Sequence, residues 1–305
     1  MPPLVSRRPY VAVGLAVVSV SFSSVFILWS ASPPVTIALY RLAIASAILA
    51  PVAVLHPSKP LRGVARRDVG LMALVGLVLA AHFTFWITSL RMTSVASSTI
   101  LVTSHPLLVG LLSHFALRER LTARASGGIL LGFVGVVAIA YVDSNVSGES
   151  LAGDVLAFLG GVMAGFYFLL GRTIRQRVPL LGYALVVYAS AAVFLAVFAV
   201  GLGDGLMPVG DIPTELVLFL AMALIPQIGG HTLYNWALRW VPAPLVSLSL
   251  VGEPIGSSLL AWALLGSVPN NAPAVAAAGV FALAGIYLAA STEGPRTTEA
   301  TRDVG

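Results

Sequence analysis

Ten apolar runs, each about twenty residues long, follow one another along this chain of 305 residues. An α-helix needs about 20 apolar residues to cross a bilayer, so each run is long enough to span a membrane. Only 10% of the residues are charged, against about 25% in soluble domains. The runs lie near residues 10–30, 34–56, 69–90, 94–116, 123–142, 153–171, 180–201, 215–238, 243–266 and 272–291. The sequence therefore predicts an all-α integral membrane protein with ten transmembrane helices and no sizeable domain outside the membrane.

The basic residues lie mostly on one side of these predicted helices. With the N-terminus in the cytoplasm, fifteen of the seventeen fall in cytoplasmic segments, Arg41 lies within the second run, and only Arg91 lies outside. Cytoplasmic loops are typically enriched in Lys and Arg. The near-absence of Lys is typical of a GC-rich bacterium, so we expect a multi-pass protein of the bacterial inner (plasma) membrane with both termini cytoplasmic. This distribution accounts for the net charge of +5, so we expect no nucleic-acid partner.

The two halves of the chain align at an offset of 148 residues, which places Leu90-Arg91 on Leu238-Arg239 and His105-Pro106 on Glu253-Pro254. Five helices reverse the direction of a chain, so the second half would be inserted upside down relative to the first. Inverted repeats are common in secondary transporters, where the substrate site lies near the midplane between them. A duplication that serves packing alone is the alternative.

This alignment predicts two inverted five-helix repeats around a central cavity. The first repeat covers residues 1–142, an outer linker covers 143–152, the second repeat covers 153–291, and a polar cytoplasmic tail covers 292–305. The first run is taken as a helix because its apolar core exceeds the roughly 7–15 residues of a signal peptide. Glycines at 127–135 and at Gly279 and Gly285 predict close packing in the fifth and tenth helices.

Polar and aromatic residues recur at helical spacing inside several runs. In the eighth run, for example, Gln227, His231 and Asn235 follow one another at intervals of four. Faces that combine rings with hydrogen-bonding groups suit an amphipathic organic solute better than a bare ion. Satisfied contacts between helices are the alternative for each of these residues. The predicted substrate-binding residues are His82, Phe83, Trp86, Ser98, His105, Tyr167, Gln227, His231, Tyr234 and Asn235.

Two charged residues lie within the predicted spans. Glu253 is the only acid deep in a run, and Pro254 after it interrupts the helical hydrogen bonds. Burial favours the neutral form of a carboxyl group, so Glu253 is a candidate for proton coupling or for binding a substrate amine; the alternative is a contact between helices. Arg41, at the predicted outer mouth, would bind a substrate carboxylate or extend to the outer surface, as Arg near a span end commonly does. We expect the second.

Other functional classes have weaker support in the sequence. The chain has no cysteine, phosphate-binding loop, zinc-ligand spacing or Gly-x-Ser-x-Gly motif, so we expect no cofactor, no metal and no enzyme. The rival classes are a membrane-embedded enzyme that uses His82, His105, His231 and Glu253, and a passive channel. Substrate flux that depends on a gradient would distinguish a transporter from both.

Two segments resemble the drug/metabolite transporter superfamily of the EamA type. Residues 105–137 resemble the end of a repeat in that family, with a Pro, a Leu-rich run, the loop acid Glu119 and a Gly-rich span. Residues 250–269 are similar and include the Glu253-Pro254 pair, although Ser267 replaces the loop acid. Tyr40-Arg41 also matches an aromatic-Arg pattern of the family.

The resemblance implies a ten-helix basket with alternating access. The aromatic and polar faces resemble those of YddG-like exporters of aromatic and neutral amino acids, which is the expected function. A multidrug, purine or other metabolite transporter of the same fold is the alternative. The expected partners are a small-molecule substrate and the lipid bilayer, and we expect a monomer rather than an obligate oligomer.

Overall fold

The computed structural model describes residues 8–58, 60–107, 122–144, 147–237, 249–250 and 252–290, and in these residues the regular structure is entirely helical. The helices are α1 (Arg8–Ser21), α2 (Ser23–Trp29), α3 (Pro34–Leu55), α4 (Arg66–Ser89), α5 (Val95–Val102), α6 (Ala123–Ser144), α7 (Gly148–Arg175), α8 (Leu180–Leu202), α9 (Ile212–Met222), a π-helix (Ala223–Thr232), α10 (Leu233–Ala237), α11 (Gly252–Leu265) and α12 (Ala272–Ala290).

Seven helical stretches are long and apolar enough to cross a membrane: Val11–Trp29, Pro34–Leu55, Arg66–Ser89, Ala123–Val142, Gly148–Arg175, Leu180–Leu202 and Ile212–Ala237. A shorter apolar helix covers Ala272–Leu288. The chain is therefore an all-helical, multi-pass membrane protein. The count of ten spans stays a prediction, because parts of the fourth and ninth runs lie outside the described residues. Glu119, Leu238-Arg239 and the tail 292–305 also lie outside them.

The junction between the predicted repeats differs from the expected linker at 143–152. Helix α6 continues to Ser144 and α7 already begins at Gly148. The Ser147 side chain accepts a hydrogen bond from the Ser150 backbone N–H, and Glu149 lies in the first turn, where an acid is favourable. These residues start the helix about one turn earlier than the apolar pattern predicts.

The packing pairs helices from the two halves of the chain. Helix α3 packs on α8, α6 on α12, α4 on α7 and α8, and α1 on the π-helix and α11. The contact between α6 and α12 is close because glycines lie in it: a Cβ atom at Gly285 would meet the backbone of Gly132 and Gly128. The predicted close packing of these two helices is thus present in the structure.

Apolar side chains on the outer surfaces of the helices are exposed, among them Leu130 and Val134 of α6, Val193 and Val197 of α8, and Val280 of α12. In a bilayer such side chains contact lipid tails rather than water. The polar groups of the described spans lie mainly inside the helix bundle, where they form the site described next.

Candidate functional site

A cavity lies inside the bundle, between helices of both halves, and together with its open side it holds about 490 Å³ of space not filled by protein atoms. The cavity is lined by Val20, His82, Trp86, Val102, Thr103, His105, Ala164, Tyr167, Phe168, His231, Tyr234, Leu250 and Glu253. Its lining is therefore rich in rings, with three imidazoles and one carboxyl group among them.

Seven residues singled out in the sequence line this cavity: His82, Trp86, His105, Tyr167, His231, Tyr234 and Glu253. The structure also places there Val102, which helical spacing puts on one face with Ser98 and His105, and five residues that the search for polar faces missed: Val20, Thr103, Ala164, Phe168 and Leu250. Four of these five are apolar, and helical spacing alone gives no reason to choose an apolar residue.

Four other predicted site residues lie behind the cavity wall. The Ser98 hydroxyl is hydrogen-bonded to the Ser89 hydroxyl at 2.7 Å, away from the cavity. Asn235 Nδ2 donates to the Tyr167 hydroxyl at 2.6 Å and so positions a ring that does line it. The remaining two, Phe83 and Gln227, contact Arg41, and the four residues thus support the wall rather than form it.

Stacked rings make up much of the wall. The His82 and Trp86 rings are stacked with centroids 6.0 Å apart, and His105 stacks on Phe168 at 5.3 Å. The Tyr167 ring meets the edge of His231 at 6.4 Å. Such surfaces bind flat apolar groups through stacking and burial.

Several polar atoms on this wall have no hydrogen-bond partner in the described part of the chain. They are Trp86 Nε1, His105 Nε2 and His231 Nδ1. By contrast, His82 Nδ1 donates to the carbonyl of Gly160 at 2.9 Å. Buried polar groups are nearly always satisfied by protein or water, so unpartnered atoms on the residues around a cavity require an explanation.

Helical segments are interrupted where they reach the cavity. Helix α5 ends at Val102, and a turn at Thr103-Ser104 precedes His105-Pro106. In the second half α11 begins at Gly252, so Glu253 lies in its first turn, and the Glu253 backbone N–H donates to the Leu250 carbonyl at 3.0 Å. Proline lacks an N–H, so it cannot continue the helical hydrogen bonds across these breaks. Discontinuous helices of this kind often form substrate sites in transporters.

The lining residues are related by the same offset of 148 residues that aligns the two halves. Four pairs at this offset line the cavity together: Val20 with Phe168, Trp86 with Tyr234, Val102 with Leu250, and His105 with Glu253. Subtracting 148 from the number of Phe168 gives Val20, and adding 148 to that of Val102 gives Leu250. The offset is therefore a sequence signal that could have identified these two lining residues. Positions separated by this offset therefore line the same cavity.

Arg41 lies in the interior of the protein and not at an outer mouth. Its side chain is fully buried; Nε donates to Gln227 Oε1 and Nη1 donates to Ser23 Oγ, both at 2.8 Å. The guanidinium carbon lies 4.4 Å from the centre of the Phe83 ring, a cation–π contact. The expectation that Arg41 extends to the outer surface is wrong, because these neighbours hold the guanidinium inside.

The π-helix explains why the polar face of the eighth run is divided. Thr232 Oγ1 donates to the Gln227 carbonyl at 3.2 Å, and Pro226 lies within the π-helical stretch. With one extra residue per turn, Gln227 faces Arg41 while His231 faces the cavity. The sequence predicted one α-helical face at intervals of four and so missed this change of register.

A set of hydrogen bonds joins the loop after α2 to Arg91 and Glu215 at the end of the bundle that is predicted to be outer. Arg91 Nη2 donates to the carbonyls of Ile27, Ser30 and Ser32. The Glu215 carboxylate accepts from the Ser30 hydroxyl and from the Ala31 backbone N–H at 2.7 Å. The loop after α2 is therefore held from both sides. We call these contacts the outer latch.

The geometry gives no sign of a metal centre. In the part of the chain that the structure describes, no group of three or more His, Cys, Asp or Glu side chains is arranged to hold a metal ion.

Comparisons with known proteins agree with this geometry. Residues 8–141 and 151–291 match the EamA-like transporter family. The chain is 23% identical to the uncharacterized transporter YdfC of Bacillus subtilis over 238 residues, which cover 78% of this chain and 76% of YdfC. It is 25% identical to an uncharacterized transporter of Archaeoglobus fulgidus over 278 residues, covering 90% of this chain and 93% of that protein.

Two further matches are less complete or more distant. The uncharacterized transporter YyaM of Bacillus subtilis is 24% identical over 182 residues, and the match spans 57% of this chain and only 58% of YyaM. A solved crystal structure of a protein matches with a TM-score of 0.65 and 22% identity, over 94% of this chain and 99% of the other. The structural match shows a shared fold. Because the family match covers most of the sequence in two stretches, this chain belongs to the EamA-like transporter family of the drug/metabolite transporter superfamily.

Proposed function

We propose that the protein is a secondary transporter that exports aromatic or neutral amino acids from the bacterial cytoplasm by alternating access. The observation that carries this proposal is the ring-lined cavity at the two helix breaks. Stacked rings would hold an aromatic or apolar side chain, and the unpartnered atoms of Trp86, His105 and His231 would bind the polar groups of the same molecule.

The proposed architecture has ten spans in two inverted repeats. Its support is the reciprocal packing of the helices: α3 with α8 and α6 with α12 join equivalent spans, while α4 with α7 is matched by the π-helix with α1. The four lining pairs at the offset of 148 give independent support. A cavity between two such repeats can open to either side in turn.

The proposed carrier of coupling is Glu253, since a carboxyl group beside the cavity can exchange a proton as solute binds or leaves. The proposed setting is the bacterial inner membrane, with the outer latch on the periplasmic side. With the latch closed, access to the cavity would be from the cytoplasm, which is the state that loads an exporter.

A second candidate, a transporter of cationic drugs, has one observation in its favour. Glu253 is the only charged residue in the lining that the structure describes, and a buried acid attracts organic cations. The two candidates differ in whether a carboxylate on the solute helps or hinders binding.

Counterflow in proteoliposomes tests the proposed function. Vesicles loaded with unlabelled solute are diluted into labelled solute, and the panel comprises aromatic and neutral amino acids, nucleosides and cationic drugs. Transient accumulation of an aromatic or neutral amino acid is the expected result. Accumulation of cationic drugs alone would support the second candidate, and identical uptake into loaded and unloaded vesicles would indicate a channel.

A further inference from the structure

Two opposite charges flank the cavity, and in the described part of the chain no salt bridge joins them. Glu253 lines the cavity at the start of α11. Arg41 lies one ring behind the wall: its guanidinium carbon is 4.4 Å from the centre of Phe83, whose ring centroid is 5.5 Å from that of the lining residue His231. The cavity therefore has a cation behind one part of its wall and an acid in another part.

Neither charge is neutralised by the protein groups that touch it. The hydrogen bonds of Arg41 go to the neutral oxygens of Gln227 and Ser23, and its Nη2 atom has no partner among the described residues. The Glu253 side chain is 8% exposed, and its carboxyl group accepts no hydrogen bond from a described residue. A buried charge is costly unless an opposite charge or hydrogen bonds compensate it.

We propose that these two residues make the cavity selective for a zwitterion. The substrate ammonium lies against Glu253, and the substrate carboxylate lies at the part of the wall formed by His231, behind which Phe83 and Arg41 lie. In the low-dielectric interior a charge acts across the thickness of one ring. The unpartnered Nδ1 atom of His231 is at the same wall and can donate to the carboxylate.

This inference rests on the proposed function and narrows it to α-amino acids whose aromatic or apolar side chain packs on the stacked rings. The rival explanation is that Arg41 and Glu253 only offset one another through space. In that case the charges of the solute would not matter, and an amine or a carboxylic acid of the same shape would bind equally well.

The test compares solutes that differ only in their charged groups. Purified full-length protein is titrated with L-phenylalanine, phenethylamine and 3-phenylpropionate, and binding is measured by competition against the amino acid that gives counterflow. We expect L-phenylalanine to bind about tenfold or more tightly than either analogue, because each loses one charge-assisted contact. Equal binding of all three by the wild type would overturn the inference while leaving the transport function intact.

Two substitutions then assign the charges. Arg41→Gln should lower the affinity for L-phenylalanine to about that for phenethylamine, and the affinity for phenethylamine should not change. Glu253→Gln should lower the affinity for L-phenylalanine to about that for 3-phenylpropionate, and the affinity for 3-phenylpropionate should not change. Arg41→Lys keeps the charge and should keep the preference for the carboxylate. Arg177→Gln removes a half-exposed cation paired with Asp68 and serves as the control.

The outcomes are separable. A uniform loss of affinity for all three solutes in Arg41→Gln or Glu253→Gln, with unchanged thermal stability, would overturn the inference. If a variant fails to fold, the solute comparison on the wild type and Arg41→Lys still decides it. Failure of the wild type to bind or transport any amino acid would overturn the proposed function as well.

Discussion

At the scale of single residues, the proposed solute binding depends on the unpartnered polar atoms of the residues that line the cavity. Trp86 shows this best: its ring is almost fully buried and stacks on His82, yet its Nε1–H has no acceptor among the described residues. The ring therefore stabilises the fold, whereas its N–H is free to bind solute.

Trp86→Phe separates these two roles. The substitution keeps an aromatic ring and removes the N–H, so we expect little change in thermal stability and a loss of affinity of about 1 kcal/mol, or roughly fivefold. Isothermal titration of the purified protein measures the affinity. Trp262→Phe is the matched control, because Trp262 is 63% exposed and lies away from the cavity. Equal effects of both substitutions would mean that the Trp86 N–H does not bind solute.

Glu253→Gln tests proton coupling. The amide keeps the shape of the carboxyl group but cannot titrate, so the variant should lose accumulation driven by a pH gradient and retain counterflow at solute concentrations high enough to offset its lower affinity. Transport into proteoliposomes with and without an imposed pH gradient measures both activities. Glu149→Gln, an exposed acid at the start of α7, is the control. Retention of gradient-driven accumulation by Glu253→Gln would exclude this residue as the coupling group.

The sequence predicted the ionisable residues of the site better than it predicted the contacts between them. His82, His105 and Glu253 stood out because ionisable groups are rare within membrane spans. The location of Arg41 was predicted wrongly, because its position near the end of an apolar run does not show which residues it hydrogen-bonds. Ser23 lies in another helix, and Gln227 is 186 residues away in the sequence. Such long-range contacts depend on the packing of helices, which the spacing within one run does not determine.

At the scale of elements, breaks and close contacts shape the protein more than helix length does. The apolar runs predicted where helices lie, because membrane burial requires continuous apolar stretches. They did not predict the π-helix at 223–232, because an apolar run gives the length of a helix but not the register of its hydrogen bonds. The glycines of α6 and α12 were predicted, because close helix contacts in membranes recurrently use small residues.

Gly285→Ala tests the contact between α6 and α12. The added methyl would meet the backbone of Gly132, which cannot move aside easily, so we expect a loss of stability of about 1–3 kcal/mol. Gly127→Ala on α6 has open space around it and should be neutral or slightly stabilising. Thermal unfolding in detergent compares the two variants. Equal stabilities would show that the two helices can separate at no cost.

At the scale of the whole molecule, the outer latch bears on access to the cavity, and the distribution of charge bears on the orientation of the chain in the membrane. The latch joins the loop after α2 to Arg91 and Glu215. The basic residues predict which side the latch faces. Each of the two features has its own test in this cysteine-free chain.

Single cysteines at Ser58 and Ser147 test the orientation. Both positions are exposed, and they lie in loops on opposite predicted sides. An impermeant maleimide added to intact cells, with the outer membrane permeabilised, should label Ser147→Cys and spare Ser58→Cys. The reverse pattern would invert the topology, and labelling of both from outside would contradict it.

Arg91→Gln tests the latch. Removing the guanidinium leaves the carbonyls of Ile27 and Ser30 without this donor, so states open to the outside should become more populated. In a background with Thr103→Cys, a lining position, impermeant maleimide should then label the cavity faster from the periplasm. Unchanged labelling would mean that Arg91 does not control access, and Arg62→Gln, in an exposed loop, is the control.

The matched lining of the cavity also bears on the thermodynamics of net flux. Val20 with Phe168, and Trp86 with Tyr234, present similar surfaces from the two halves of the chain. Every step of a cycle that alternates between two such halves is reversible, so the protein itself would not fix the direction of net flux. The gradients of solute and of any coupled proton across the membrane would set that direction.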